Sequence, residues 1–287
     1  MMAAYRDLRY TSHDGLSLYA RYYGNFSDSR LPVVCLPGLT RNSKDFESLA
    51  LHLSQGGRRV ISPDFRGRGL SDYDPVMMNY VPPTYARDVI ELLGLTGINR
   101  AVFVGTSLGG IVTQIVSLLA PHLLAGAVLN DIGPELSPEG LARIAAFAGN
   151  QSDPATWDEA VAQIKGLNLS QFPVLPDTAW ERFAHAVFVE KPEGGLRPNY
   201  DAKIGEALRT GGPGGDLWAV FGGLAAVPTA VLRGALSDLL SPATVAKMVA
   251  AKPDLVTVEV PERGHAPLLD EPVSVAAIEA LIARVEG

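Results

Sequence analysis

The chain has 287 residues, 47% hydrophobic and 19% charged, enough to bury a substantial core as one large α/β domain or two smaller ones. Its net charge of −7, with no Lys/Arg run, argues against nucleic acid or an anionic membrane surface as a partner. The N-terminus lacks the apolar core of a signal peptide and no apolar run approaches the ~20 residues of a membrane span, so a cytoplasmic protein without a membrane partner is expected. One cysteine, Cys35, excludes an internal disulfide and a Cys-based metal cluster; its neighbours Val33, Val34 and Leu36 predict a buried strand thiol.

Residues 5–11 and 16–23 alternate as two strands around the turn His13-Asp14-Gly15, so the chain opens on an antiparallel hairpin. Residues 31–36 form a short apolar run, as in a strand buried on both faces, and end in Pro37-Gly38-Leu39-Thr40. A helix is predicted over 42–55, stopped by Gly56-Gly57, and a strand over 58–62. The following loop, 63–72, is dense in Arg and Asp and reads as a rigid surface loop held by Asp/Arg pairs, with Asp64, Arg66 and Ser71 as scaffolding. A helix over 83–93 leads to a strand over 101–104, which runs into Gly105-Thr106-Ser107-Leu108-Gly109. Helical periodicity resumes over 111–119, placing Ser107 on a strand-to-helix corner whose glycines permit a turn too tight for side chains. With another strand over 125–130, the alternation specifies a doubly wound, mostly parallel sheet whose ligand crevice lies beyond the carboxyl ends of the strands.

After Asp131 the pattern changes. Gly133-Pro134 breaks the alternation, and helices are predicted over 138–148, 154–164 and 177–189, the second opened by Asp153-Pro154 and the third by a capping box from Thr178 to Glu181. Residues 133–215 thus read as a helical cap inserted into a core made of 1–132 and 216–287. Trp157 and Trp180 lie in the cap with Phe147, Phe172, Phe183 and Phe188, more suited to its own core than to substrate; Trp157, Trp180 and His185 are nevertheless its pocket candidates. The run Gly211-Gly212-Pro213-Gly214-Gly215 closes the cap and is expected to act as a hinge; it lacks the strand and the Lys-Ser/Thr ending of a phosphate loop. The sheet resumes with a helix over 216–225, a strand over 229–232, a helix over 241–251, a strand over 255–260 and a final helix over 272–285.

Loops at the ends of three parallel strands carry Ser107, Asp238 and His265 in that order. A serine hydroxyl needs a base within hydrogen-bond reach, and a histidine oriented by a carboxylate supplies one. Asp131, after the preceding strand, competes with the favoured Asp238 as that carboxylate. His52 and His122 read as surface or packing residues. The elbow at 105–109, the loops 37–40 and 64–71, Asp238 and Gly264-His265 together resemble the α/β-hydrolase superfamily, serine-nucleophile branch with a helical lid, over nearly the whole length. The resemblance implies an α/β-hydrolase fold and an oxyanion hole made by the backbone N–H groups of Leu39 and Leu108. Many relatives have His-Gly where this chain has Pro37-Gly38, but the donor is main chain, so the hole is expected to survive. A serine at the elbow disfavours dehalogenase and epoxide-hydrolase chemistry, which uses aspartate there. What remains is a cofactor-free and metal-free esterase, lactonase or thioesterase acting on a small or medium, largely apolar substrate. The alternatives are carbon–carbon bond hydrolysis of ring-cleavage products and a small-molecule receptor that kept the pocket. Arg143 and Arg182 are expected to face solvent, though either would suit a substrate carboxylate.

Overall fold

The computed structural model describes residues 4–211 and 215–287. Gly212, Pro213 and Gly214 of the expected hinge, and residues 1–3 of the N-terminal stretch read for a signal peptide, lie outside the described residues. An eight-stranded sheet organises the chain, built from β1 (Arg6–Thr11), β2 (Ser17–Tyr23), β3 (Val33–Leu36), β4 (Val60–Asp64), β5 (Ala101–Thr106) and β6 (Leu124–Asn130). The strands β9 (Thr229–Gly234) and β10 (Val256–Val260) complete it after an insertion that carries the short strands β7 (Phe188–Glu190) and β8 (Leu196–Pro198). The order is β1-β2-β4-β3-β5-β6-β9-β10, with β2 antiparallel to both its neighbours and every other pairing parallel.

The alternation hidden in the apolar runs explains the layers. In β5, Ala101 and Phe103 face one core cluster while Val102 and Val104 face the other, and in β3 Val34 and Leu36 oppose Val33 and Cys35. A strand buried on both faces has no polar side to show, which is why it reads as a continuous hydrophobic run. One face is covered by α2 (Pro82–Leu95), α3 (Leu108–Leu119), α8 (Leu217–Gly222) and α9 (Pro242–Ala251), through residues such as Val89, Val112, Phe221 and Met248. The other is covered by α1 (Glu47–Gln55) and α10 (Pro272–Glu286), through Leu49, Leu53, Ile278 and Leu281. Cys35 is completely buried, and burial pushes its thiol up, away from the reactive thiolate.

Between β6 and β9 lie α4 (Pro138–Phe147), α5 (Trp157–Asn168), α6 (Asp177–Val187), the β7–β8 ribbon and α7 (Lys203–Thr210). The ribbon and α7 have no counterpart in the sequence prediction. The helix predicted to run to residue 189 stops at Val187, because Phe188 is already extended and pairs with Pro198. Nor does the box at Thr178 form: Pro176 is the N-cap of α6, so Thr178 is already inside the helix. Likewise α5 starts at Trp157 rather than at 154, because the Thr156 side chain accepts the Glu159 N–H, while the Pro154 carbonyl is taken by the Leu196 N–H of the ribbon. Trp180, Phe172, Ile164, Phe188 and Leu196 of α5, α6, the ribbon and their connections form a separate cluster, whereas Ile144 of α4 and Ile204 of α7 pack with the core of the main sheet.

The loop after β4 is held by charge, as expected. Arg66, fully buried, donates to Asp88 at 2.7 and 2.8 Å, to Asp74 at 2.6 Å and to Asp14 at 2.7 Å. Asp64 accepts the backbone N–H groups of Ser43 at 2.7 Å and Leu70 at 2.8 Å, and Ser71 closes the loop onto the Asp64 carbonyl. A buried guanidinium with three carboxylates around it fixes a loop that has no regular backbone ladder.

Candidate active site

Ser107 stands between the last residue of β5 and the first of α3, with φ 51° and ψ −114°, a left-handed conformation rare for a residue with a side chain. Close packing holds it there. A Cβ on Gly109 would strike the Leu36 carbonyl and one on Gly105 would strike the backbone of Gly109, so only glycines let the helix meet the sheet this tightly. The Ser107 N–H donates to the Asn130 carbonyl at 2.9 Å, and the Asn130 amide donates to Thr106 Oγ1 at 3.0 Å and to the Pro267 carbonyl at 2.9 Å. Asn130 thereby ties the serine corner to the loop that carries His265.

His265 Nε2 lies 2.9 Å from Ser107 Oγ, and its Nδ1 lies 2.7 Å from Asp131 Oδ2. The carboxylate on His265 is therefore Asp131 and not Asp238, which corrects the preference drawn from the sequence. Asp131 is fully buried and follows β6 directly with φ 55°. That turn points its side chain across to the end of β9, where Oδ1 accepts the Gly234 N–H at 2.8 Å and Oδ2 accepts the Ser237 hydroxyl at 2.6 Å. The chain after β9 makes a turn closed by the Ser237 N–H on the Gly234 carbonyl, which presents Ser237 rather than Asp238 to the histidine. Asp238 instead accepts two hydrogen bonds from Arg143 of α4, at 2.5 and 2.9 Å. Burial opposes its ionisation, but the hydrogen bonds and charge of Arg143, helped by His265, outweigh it and hold the Asp238 carboxyl below the usual range.

Leu39 and Leu108 both line the cavity over Ser107. Leu108 opens α3, so its N–H has no carbonyl one turn earlier to bond, and it sits at the positive end of the helix dipole. The Leu39 carbonyl accepts Arg68 Nε at 2.9 Å, which fixes the peptide plane beyond it. The cavity measures about 790 Å³. Its floor is Ser107 and His265, and its walls are largely apolar, with Ile132, Leu136, Ile144 and Phe183 among them. Trp157 and His185 line it in contact, with ring centroids 3.8 Å apart and the rings tilted by 33°. Trp180 does not: it is 1% exposed and packs edge-on against Phe172 and Phe183 inside the insertion. Arg143, expected at the solvent, lies in the cavity wall paired with Asp238; Arg182 also borders the cavity but is largely exposed, as expected, 3.6 Å from Asp270. Among the described residues, one cluster has metal-ligand spacing, His13, Asp88 and Glu91, but Asp88 is already bound to Arg66 and none of the three lines the cavity.

A family model described as the alpha/beta hydrolase family matches residues 33–278. The chain belongs to the alpha/beta hydrolase family. It is 33% identical over 272 residues to a 3-hydroxybutyrate-oligomer hydrolase of Cupriavidus necator, covering 90% of this chain and 91% of that one. A 2-(acetamidomethylene)succinate hydrolase of Mesorhizobium japonicum is 30% identical over 231 residues, 79% of each chain. Among solved structures, an alpha/beta hydrolase from Novosphingobium aromaticivorans superposes with a TM-score of 0.93 at 45% identity, covering 99% of this chain and 100% of that one.

Sequence reasoning about this hydrolase missed two residues close to His265. Ser237 shares the Asp131 carboxylate with the histidine, and Gln171, between α5 and α6, bonds the backbone around it. A serine in a polar loop and a glutamine in the insertion carry no motif; their roles come from contacts across 106 and 94 residues of chain.

Proposed function

We propose that this hydrolase cleaves a small or medium, largely apolar carboxylic ester through an acyl-enzyme, with Ser107 as nucleophile, His265 as base and Asp131 as the orienting acid. The single observation behind the reading is the unbroken relay from Ser107 Oγ through both imidazole nitrogens to Asp131, at 2.9 and 2.7 Å, on the floor of the cavity. His265 takes the serine proton as Oγ attacks the acyl carbon, and Asp131 holds the tautomer with the proton on Nδ1 and stabilises the imidazolium. The negative oxygen of the tetrahedral intermediate is bound by the Leu39 and Leu108 N–H groups, and collapse returns the proton to the leaving alcohol. Water then repeats the sequence on the acyl-enzyme. The insertion serves as the lid, with Trp157 and His185 against the substrate body.

The resemblance over nine-tenths of the chain to a hydrolase of 3-hydroxybutyrate oligomers favours short oligoesters of hydroxy acids among such esters. A cavity of about 790 Å³ falls in the ~300–1,000 Å³ range of small-molecule sites. The test is a fluorophosphonate probe together with a panel of esters, lactones, thioesters, vinylogous diketones and 3-hydroxybutyrate oligomers. The probe is expected to label wild type at Ser107, and Ser107→Ala to abolish both labelling and hydrolysis of short p-nitrophenyl esters. A wild-type protein that is neither labelled nor active on any ester would sink the reading.

A further inference from the structure

The loop that carries His265 is held from an unexpected side. Two successive backbone N–H groups, those of Gly264 and His265, are both given to one residue of the insertion: Gly264 to the Gln171 carbonyl at 2.6 Å, and His265 to Gln171 Oε1 at 2.8 Å. Gln171 is itself 5% exposed, and its N–H is anchored on the Asn168 carbonyl at the end of α5. The side-chain amide of the same residue reaches Asp238 Oδ2 at 3.4 Å, and Asp238 is gripped by Arg143 of α4. A Cβ on residue 264 would run into the Gln171 carboxamide, so the glycine preceding the histidine is required by the insertion and not by the turn itself.

We propose that Gln171 is a positioning residue for His265, and that with Asp238 and Arg143 it forms a latch by which the seating of the insertion on the core sets the geometry of the catalytic base. The latch rests on the role given to His265 above. With the insertion seated, both N–H groups beside the imidazole are satisfied and the ring is held between Ser107 and Asp131. With the insertion lifted, two buried donors lose their acceptor, and the loop is free to rearrange to recover them. The base is thus assembled only under a seated lid, a form of gating in which the same movement that encloses substrate completes the site.

The decisive variants are Gln171→Met, which keeps the length of the side chain and removes its hydrogen bonds, and the double variant Gln171→Glu with Asp238→Asn, which restores the acceptor for the His265 N–H and sets an amide donor, not a second carboxylate, opposite the new oxygen. The readouts are the fluorophosphonate inactivation rate and the NMR resonance of the His265 Nδ1 proton. In Gln171→Met the rate is expected to fall about 10- to 100-fold, as for displacement of a catalytic group by an ångström, with the resonance lost to solvent exchange. The double variant is expected to react within about threefold of Asp238→Asn alone, the behaviour of a lost acceptor rather than a lost packing contact. Gly264→Ala, whose methyl displaces the same carboxamide, provides a second route and is expected to show the same loss of rate and resonance. A Gln171→Met or Gly264→Ala protein that keeps both at wild-type values overturns the proposal, and so does a double variant about tenfold or more slower than Asp238→Asn alone. If the serine-hydrolase reading itself is wrong, wild type goes unlabelled by the probe, while the His265 resonance still decides the latch.

Discussion

The most informative substitution is Asp131→Asn, set against Asp238→Asn. Oδ1 of Asp131 accepts the Gly234 N–H, while Oδ2 accepts from both His265 Nδ1 and the Ser237 hydroxyl. An asparagine of the same shape keeps its oxygen on the Gly234 N–H, and its NH2 group then faces His265 and the Ser237 oxygen, which already accepts the Leu239 and Leu240 N–H groups at 3.2 and 3.1 Å. The fold therefore survives, but the NH2 donates to Nδ1 and drives the imidazole proton to Nε2. There it faces Ser107 Oγ with no lone pair to take the serine proton. Loss of the correct tautomer in a serine–histidine–aspartate relay costs about 10³- to 10⁴-fold in kcat, or about 4–5.5 kcal/mol of transition-state stabilisation. Asp238→Asn leaves the relay untouched and retains one acceptor for Arg143, so kcat is expected within about tenfold of wild type. Hydrolysis of p-nitrophenyl butyrate by the purified proteins, with circular dichroism to confirm folding, measures both. An Asp131→Asn enzyme within tenfold of wild type, or an Asp238→Asn enzyme equally crippled, would refute the assignment of the acid.

Two further substitutions probe the scaffold and the cavity wall. Arg66→Met strands the carboxylates of Asp14, Asp74 and Asp88 and is expected to lower unfolding free energy by about 3–5 kcal/mol at pH 7 in urea titration. The hydrogen bond from Arg66, against some burial, lowers the Asp14 carboxyl from 3.8 to about 2, so its contribution is complete above pH 3.8 and is lost as pH falls through 2; the gap between variant and wild type should narrow over that window, and a gap independent of pH would contradict the pairing. Trp157→Ala removes one wall of the cavity and frees His185 from its ring contact, which should raise KM for short-chain esters several-fold while leaving kcat within about threefold; equal losses in kcat would place Trp157 in the chemistry rather than in binding.

What could be read in advance divides along a physical line. The parallel core was legible because strands buried on both faces must be apolar throughout and the intervening helices amphipathic, and the bounds of β3, β5, β6 and β9 differ from the prediction by only a few residues. The strand-to-helix corner at Ser107 was legible for a steric reason: Gly105 and Gly109 are the residues that let α3 touch β3 and β5, so the local sequence carries the constraint. The insertion was less legible, since its ribbon is only three residues on each side and the starts of α5 and α6 were decided by Thr156 and Pro176 against competing cap signals nearby.

The doubly wound sheet, the serine at its elbow, the histidine after its last strand and two aspartates near that histidine are all written locally in the chain. Which aspartate meets the histidine is not. Asp131 and Asp238 have the same chemistry and comparable positions after neighbouring strands, and no local pattern separates them. The choice was made by a left-handed turn at Asp131 that aims its carboxylate at Gly234, Ser237 and His265, and by Arg143, which arrives from the insertion 95 residues away to claim Asp238. The contact of Gln171 with Gly264 and His265 is of the same kind, because a hydrogen bond closed across a long loop depends on where two distant segments are packed and leaves no period or motif in either.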